Sequence, residues 1–251
     1  IVDEYKCTLA WLPNFAFQFV ARRTPPPRRS QYDLSSLRAL INCSEPVRAN
    51  SMLEFQKTFG VPGHVLHSSY AMAENVFAVT QSEVKGQSGP TRICVDDNAF
   101  RSDHRVISVP EGTSGSRVFT SSGKLLPNHE IRIVSDNGVV LGESCVGEIL
   151  VKSDCLFEGY YNRPDLTAQA IAAGWYYTGD LGFLLDDELY VVGRKKDLLI
   201  IGGENIYPQD IEEIVAGHAA IHDGRVIAMG LYNAELGTED VVLVAELEEH
   251  Q

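Results

Sequence analysis

No apolar run in the 251-residue sequence approaches the roughly 20 residues that a membrane-crossing helix needs, and no signal peptide opens it. Cysteine is sparse. Cys7, Cys43, Cys94, Cys145 and Cys155 are scattered, odd in number and never spaced CxxC. That pattern argues against a zinc site or a disulfide frame and fits reduced thiols in a cytoplasmic protein. Basic charge is in deficit: the formal charge is −13, so no basic surface is offered to nucleic acid. The densest basic stretch, "ARRTPPPRRS" (Ala21–Ser30), carries three prolines and reads as an extended surface loop with solvated arginines. An initiator Met is also missing. The chain opens "IVDEYKCTLAWLP", already periodic, and reads as a piece of something longer.

What is present is an ordinary core composition, 44% hydrophobic, in a chain long enough for one large domain or two smaller ones. The first sixty residues alternate strand and helix signals. "TLAWLP" and "LRALINCSEPV" supply short apolar runs. "RANSMLEFQKTFG" spaces Met52, Phe55 and Phe59 as one helix face, with Gly60 as the C-cap. From about Val76 to Lys152 the signals are β-rich, with a hairpin turn at Asp136-Asn137-Gly138. A short helix over Arg163–Gly174, closed by Gly174, and a hairpin around Asp186-Asp187 follow. After Lys195 comes a different unit: a strand at Leu198–Ile201, a helix opened by Pro208 with Ile211, Ile214 and Val215 on its apolar face, then two strands. The fold class is therefore α/β (α+β), with a boundary near Lys195 between residues 1–194 and 195–251.

Three segments carry possible chemistry. In "WYYTGDLG" (Trp175–Gly182), Asp180 either presents paired acceptor oxygens to two ribose hydroxyls or merely stabilises its own turn. In "HSSYAMAENVFAVT" (His67–Thr80), Tyr70 can stack on a flat base and Glu74 can act as a hard oxygen ligand for Mg²⁺; the plain alternative is a helix-entry loop. In "GRKKDLLIIGGENIYPQ" (Gly193–Gln209), a basic cluster, a short apolar strand and two glycines stand unusually close together.

"YAMAE", "GEILVKSDCLFEGYYNRP", "YYTGD" and "GRKKD…GGENIYP" occur in this order over nearly the whole chain, and together they resemble the adenylate-forming (AMP-binding) superfamily of acyl-CoA synthetases, fatty acyl-AMP ligases, luciferases and peptide-synthetase adenylation domains. The resemblance implies the C-terminal part of a large adenylation domain followed by the start of a small mobile lid. The implied reaction is attack of a fatty acid on the α-phosphate of ATP, with Mg²⁺, followed by passage of the acyl group to a thiol, that of CoA or of phosphopantetheine on an acyl carrier protein. It implies that Ser44, Glu45, Pro46, Ser69 and Tyr70, with Ala73 beside them, line the adenine pocket, that Glu74 holds Mg²⁺, and that Asp180 and Arg194 hold the ribose. Lys196 matches the pivot about which the lid turns between half-reactions, and Gly202-Gly203 the loop that then approaches the site. Asn14 and Phe15 open "NFAFQF", which suits an acyl channel or plain core.

Ala73, where most members have Thr, resembles the fatty acyl-AMP ligases. So does the long stretch between Glu74 and Gly147, including "CVDDNAFRSDHRVISVPEGTSGSRVF". The loop "IIGGENIYP" instead resembles acyl-CoA synthetases, so the resemblance implies a carrier-protein thiol as the expected acceptor, with CoA as the alternative. The Ser/Thr/Gly-rich phosphate loop and the far C-terminal lysine of the family are expected before Ile1 and beyond Gln251, so these 251 residues are expected to be inactive alone. Rival readings are a non-catalytic nucleotide-binding relative and an interaction domain of an assembly line.

Overall fold

The computed structural model describes residues 1–29, 31–84, 89–201, 204–218, 220–233 and 238–247. After the short helix α1 (Val2–Tyr5), strand β1 (Leu9–Pro13) runs into α2 (Asn14–Arg23) and the four-residue α3 (Pro26–Arg29). Next come β2 (Ala39–Cys43), α4 (Ala49–Phe59), β3 (Leu66–Ala71) and β4 (Ala78–Gln81). The hairpin β5 (Arg92–Asp96) and β6 (Ser116–Thr120) encloses α5 (Asp97–Asp103), and β7 (Lys124–Leu125), β8 (His129–Val134) and β9 (Gly147–Ser153) follow. Then come α6 (Pro164–Ala170), β10 (Ile171–Ala172), β11 (Trp175–Leu185) and β12 (Glu188–Arg194). A 3₁₀ turn, Lys195–Asp197, leads to β13 (Leu199–Ile201), β14 (Glu204–Ile206), α7 (Pro208–Ala216), β15 (Ile221–Asn233) and β16 (Thr238–Leu247).

Ten strands form one sheet in the order β1-β2-β3-β4-β7-β12-β11-β9-β8, with β10 on β11. β1, β2 and β3 are parallel; every pairing from β3 onward is antiparallel. β2 is buried along its whole length, as suits a parallel strand covered on both faces. Helices α2 and α4 pack there through Phe17, Met52 and Phe55, with the Phe17 and Phe55 rings 5.4 Å apart, edge to face. Gly60 closes α4 at φ +67°, its N–H donating to the Gln56 carbonyl at 2.8 Å, as its position after the apolar face requires.

Among the described residues, no strand after Arg194 joins the ten-stranded sheet: β13 pairs with β14, and β15 with β16. This C-terminal unit nevertheless docks on the preceding one. Tyr207 is buried with Val95, Phe100, Leu181 and Phe183. Asp210 takes the Arg117 guanidinium at 2.8 Å, Arg48 pairs with Glu213, and Asn205 meets His104.

Three sequence expectations change. Gly174 does not cap a helix: α6 ends at Ala170, because Ile171 and Ala172 turn into a strand pairing Tyr176 and Trp175, and Gly174, at φ +78°, makes that hairpin turn. The Arg/Pro stretch is not an extended loop. Pro26 and Pro27 open α3, where a missing N–H costs nothing, Arg22 pairs with Glu54, and Arg29 donates to the Ala21 and Thr24 carbonyls. Ile214 faces solvent, 79% exposed, since α7 turns Ile211 and Val215 inward and presents Glu212 to the Ala228 N–H. The turns at Asp136–Gly138 and Asp186-Asp187 stand as read, the latter with both residues at positive φ (52° and 62°), the two-residue hairpin geometry.

Candidate active site

β3 is the strand at which the sheet changes from parallel to antiparallel pairing. Three neighbouring parallel strands end on one side, leading into Asn14, Ser44 and the loop after Tyr70. Ser44 adopts φ +73°, and Glu45 turns back to accept the Phe15 N–H at 2.9 Å, placing a carboxylate at the start of α2. Asn14 is buried. It donates to Ser51 and accepts from Asn42 and the Arg48 N–H, so it fastens β1, β2 and α4 together, while the Phe15 side chain next to it is exposed. Ser69 is buried, its hydroxyl donating to the Thr80 carbonyl; Pro46 is half-buried and Ala73 exposed.

Asp180 sits on a bulge of β11, not in a connecting turn. Between Tyr177↔Leu150 and Leu181↔Glu148 the register shifts, leaving Thr178, Gly179 and Asp180 out of the ladder with β9. Side chains take over the unpaired backbone groups. Thr178 Oγ1 donates to the Ile149 carbonyl at 2.7 Å and accepts the Asp180 N–H at 3.0 Å; Glu148 accepts the Gly179 N–H at 3.3 Å. Gly179, at φ +70°, makes this conformation inexpensive. The Asp180 carboxylate then accepts the Tyr70 hydroxyl at 2.6 Å and faces the Arg194 Nε at 3.3 Å, directly across the strand pair. Its side chain is 14% exposed, against 59% for Arg194, so water screens the cation and burial dominates. Burial raises the Asp180 pKa despite the opposing Tyr70 bond and Arg194 charge, and burial together with Asp180 holds the Tyr70 hydroxyl well above its ordinary range.

Glu74 lies in the 3₁₀ turn Ala73–Asn75, accepting the Tyr160 hydroxyl at 3.0 Å. Tyr160 also meets the Tyr176 hydroxyl at 3.3 Å, and burial raises both phenols. The Glu74 charge is among the causes that raise Asp180, so the two carboxylates share one electrostatic environment. Val76, just beyond, holds φ +62° and ψ −51°, with the Phe77 N–H donating to the Asn75 carbonyl at 2.6 Å. That is a strained three-residue turn for a β-branched residue, and strain of this kind gathers at functional sites.

Among the described residues no group of three or more His, Cys, Asp and Glu is placed to hold a metal. A single carboxylate such as Glu74 suits Mg²⁺, which keeps waters and takes its remaining oxygens from phosphates. Lys196 is exposed on the 3₁₀ turn, whereas its neighbour Lys195 is held by Asp136 at 2.9 Å and Glu148 at 3.0 Å. Gly202 and Gly203 lie outside the described residues. A cleft of about 1150 Å³ between α4, the β5–β6 hairpin and α7 includes Pro46 in its lining but none of Tyr70, Glu74, Asp180 and Arg194. Arg48–Glu213 and Arg117–Asp210 bridge it, so the cleft runs between the α7 segment and the sheet-bearing part.

Glu148, Tyr160 and Tyr176 were not among the residues singled out from sequence. Glu148 lies in the quoted motif "GEILVKSDCLFEGYYNRP", but its partners stand 31 and 47 positions away, so only the strand order reveals what it does. Tyr160 stands in the same motif, in "EGYYNRP", where the motif marks the segment but does not separate Tyr160 from its neighbour Tyr161.

Comparison with known proteins agrees with this geometry. The family described as AMP-binding enzyme matches residues 1–161. A putative acyl-CoA synthetase of Caulobacter vibrioides is 33% identical over 250 residues, covering 97% of this chain and 43% of that protein. The medium-chain-fatty-acid–[acyl-carrier-protein] ligase JamA of Moorena producens is 32% identical, covering 98% of this chain and 43% of that protein. A solved structure from a study of fatty acyl-adenylate ligases from E. coli and L. pneumophila superposes with a TM-score of 0.88 at 32% identity, over 98% of this chain and 44% of that one. The chain thus spans less than half the length of the curated relatives it matches. Among the described residues no helix is long and apolar enough to cross a membrane.

Proposed function

Because the chain belongs to the AMP-binding enzyme family, we propose that it forms the adenosine-facing part of an enzyme that activates a fatty acid as its acyl-adenylate. The observation that carries this reading is the Tyr70–Asp180–Arg194 cluster, with Glu74 in the same field, at the carboxyl end of β3. The activity is assigned to the whole protein, since the chain spans 43% of these relatives.

In this reading the acid's carboxylate oxygen attacks the α-phosphorus of ATP, pyrophosphate leaves, and acyl-AMP remains. Asp180 accepts hydrogen bonds from the ribose hydroxyls, with Tyr70 aiming its carboxylate and Arg194 beside it. Ser44, Glu45, Pro46, Ser69 and Tyr70 flank the adenine, and Asn14 and Phe15 the acyl entrance. Glu74 would hold Mg²⁺, which would supply charge neutralisation at the phosphates. Residues 1–194 form the body and 195–251 the lid, turning about Lys196 when a thiol replaces AMP on the acyl carbon. Ala73 and the β5–α5–β6 excursion support a carrier-protein thiol as acceptor, and JamA is named for that acceptor. The Caulobacter relative's name supports CoA instead.

The test supplies the full-length protein with ATP, Mg²⁺, dodecanoate and CoA and identifies products by mass spectrometry. Persisting dodecanoyl-AMP without thioester supports the carrier-protein acceptor, and dodecanoyl-CoA supports the second reading. Absence of any adenylate or pyrophosphate release refutes both.

A further inference from the structure

We propose that Glu148 is a positioning residue that couples the pivot turn to the bulge presenting Asp180, an inference that rests on the ribose and pivot roles proposed above. Its two carboxylate oxygens are divided between them. Oε1 accepts the Gly179 N–H at 3.3 Å, and Oε2 accepts Lys195 Nζ at 3.0 Å. The side chain is 13% exposed, on an inner strand of the sheet, with Leu181 opposite it on β11 and Val134 on β8. The 3.0 Å bond to Lys195 is the shorter of the two and the 3.3 Å bond to Gly179 the longer, so the ammonium sets where the carboxylate sits and thereby how it serves Gly179.

The bulge uses this acceptor beside Thr178, which bonds the Ile149 carbonyl and the Asp180 N–H. With the ladder interrupted at residues 178–180, the Gly179 N–H has the Glu148 carboxylate as its partner, and the next residue is Asp180. Lys195 immediately follows Arg194, which faces Asp180 across the strand pair. Asp136 grips the same ammonium from the β8–β9 connection, so Lys195 is anchored to the body on two sides. In the orientation seen here the pivot holds Glu148 and Glu148 holds the bulge. Lys195 stands next to the proposed pivot Lys196, so a turn of the backbone there that displaces the Lys195 ammonium leaves Glu148 less constrained and loosens the Asp180 bulge. Nucleotide grip and lid orientation are thereby linked through one carboxylate.

Amide hydrogen exchange of Gly179 in the full-length, ligand-free protein reads this link directly. K195M is expected to raise Gly179 exchange about threefold, the scale of a partly exposed ion pair, with strand β9 amides unchanged. K195R should restore the wild-type rate, and K195Q, which keeps a neutral donor, should fall between. Unchanged Gly179 exchange in K195M and K195Q, or a rise spread equally over β9, overturns the coupling. AMP titrated by calorimetry into wild type and D180N tests the ribose reading separately. If wild type fails to bind AMP while K195M still frees Gly179, the ribose role falls and the coupling stands.

Discussion

Asp180 carries its charge against its surroundings, and this has a sign that can be measured. Its folded pKa is raised above 3.8, chiefly by burial, so the native state binds that proton more tightly than the unfolded chain does. The associated stability is present below the unfolded value and is lost as pH rises through the folded one. D180N, which has no charge to bury, is therefore expected to gain stability relative to wild type on going from pH 4 to pH 8, while nucleotide binding disappears. Paired thermal melts at the two pH values check this, and an equal or opposite shift would sink it. The Tyr70 hydroxyl works the other way, since its 2.6 Å bond helps Asp180 stay ionised. Y70F leaves that carboxylate short of a donor, at a cost of about 1–3 kcal/mol. The acid limb of its AMP-binding profile is expected to move to higher pH, as a pH series of binding titrations would show.

At the scale of the element, one substitution has two different prices. Gly60 ends α4 at φ +67° with open space where a Cβ would project, so G60A meets only the left-handed backbone penalty, about 1 kcal/mol. Gly123 stands at φ +94° with the Gln81 backbone carbon 2.0 Å from its would-be Cβ. Nothing flexible is there to yield, because that backbone belongs to β4, between β3 and β7. G123A is expected to cost more than about 3 kcal/mol, with loss of the cooperative transition. Urea unfolding of both variants measures the contrast, and comparable midpoints would contradict it.

Across the whole molecule, the two units meet through charge as much as through apolar packing. Arg117 is 15% exposed; burial opposes its charge, but Asp210 and Asp97 outweigh that and raise its pKa. Its guanidinium also lies 5.2 Å from the Phe100 ring centroid, in the cluster that buries Tyr207. D210N leaves this cation with Asp97 and weakens the docking of α7, at a cost of about 1–3 kcal/mol. Trypsin is expected to cut D210N several-fold faster around Arg194–Lys196 while the ten-stranded body persists, since few strong contacts then close the seam. Digestion at the wild-type rate and pattern would show that apolar contacts alone hold the units.

Much of the local structure was legible in the sequence. The apolar spacing of Met52, Phe55 and Phe59 with Gly60 behind it specified α4 and its end, and Asp186-Asp187 marked a hairpin, because helix periodicity and left-handed turn conformations are properties of neighbouring residues. Ordered motifs pointed to Tyr70, Glu74, Asp180 and Arg194 as residues of one site. Strand order decided the rest. Tyr70 and Asp180 are 110 positions apart and meet only because β4, β7 and β12 intervene between β3 and β11 as they do. The same order turned Gly174 from a helix cap into a hairpin turn and made Glu148 the shared partner of Gly179 and Lys195. Turn and helix signals act over a few residues, whereas a carboxylate's partners are set by which strands lie side by side, and only the folded chain brings those strands together.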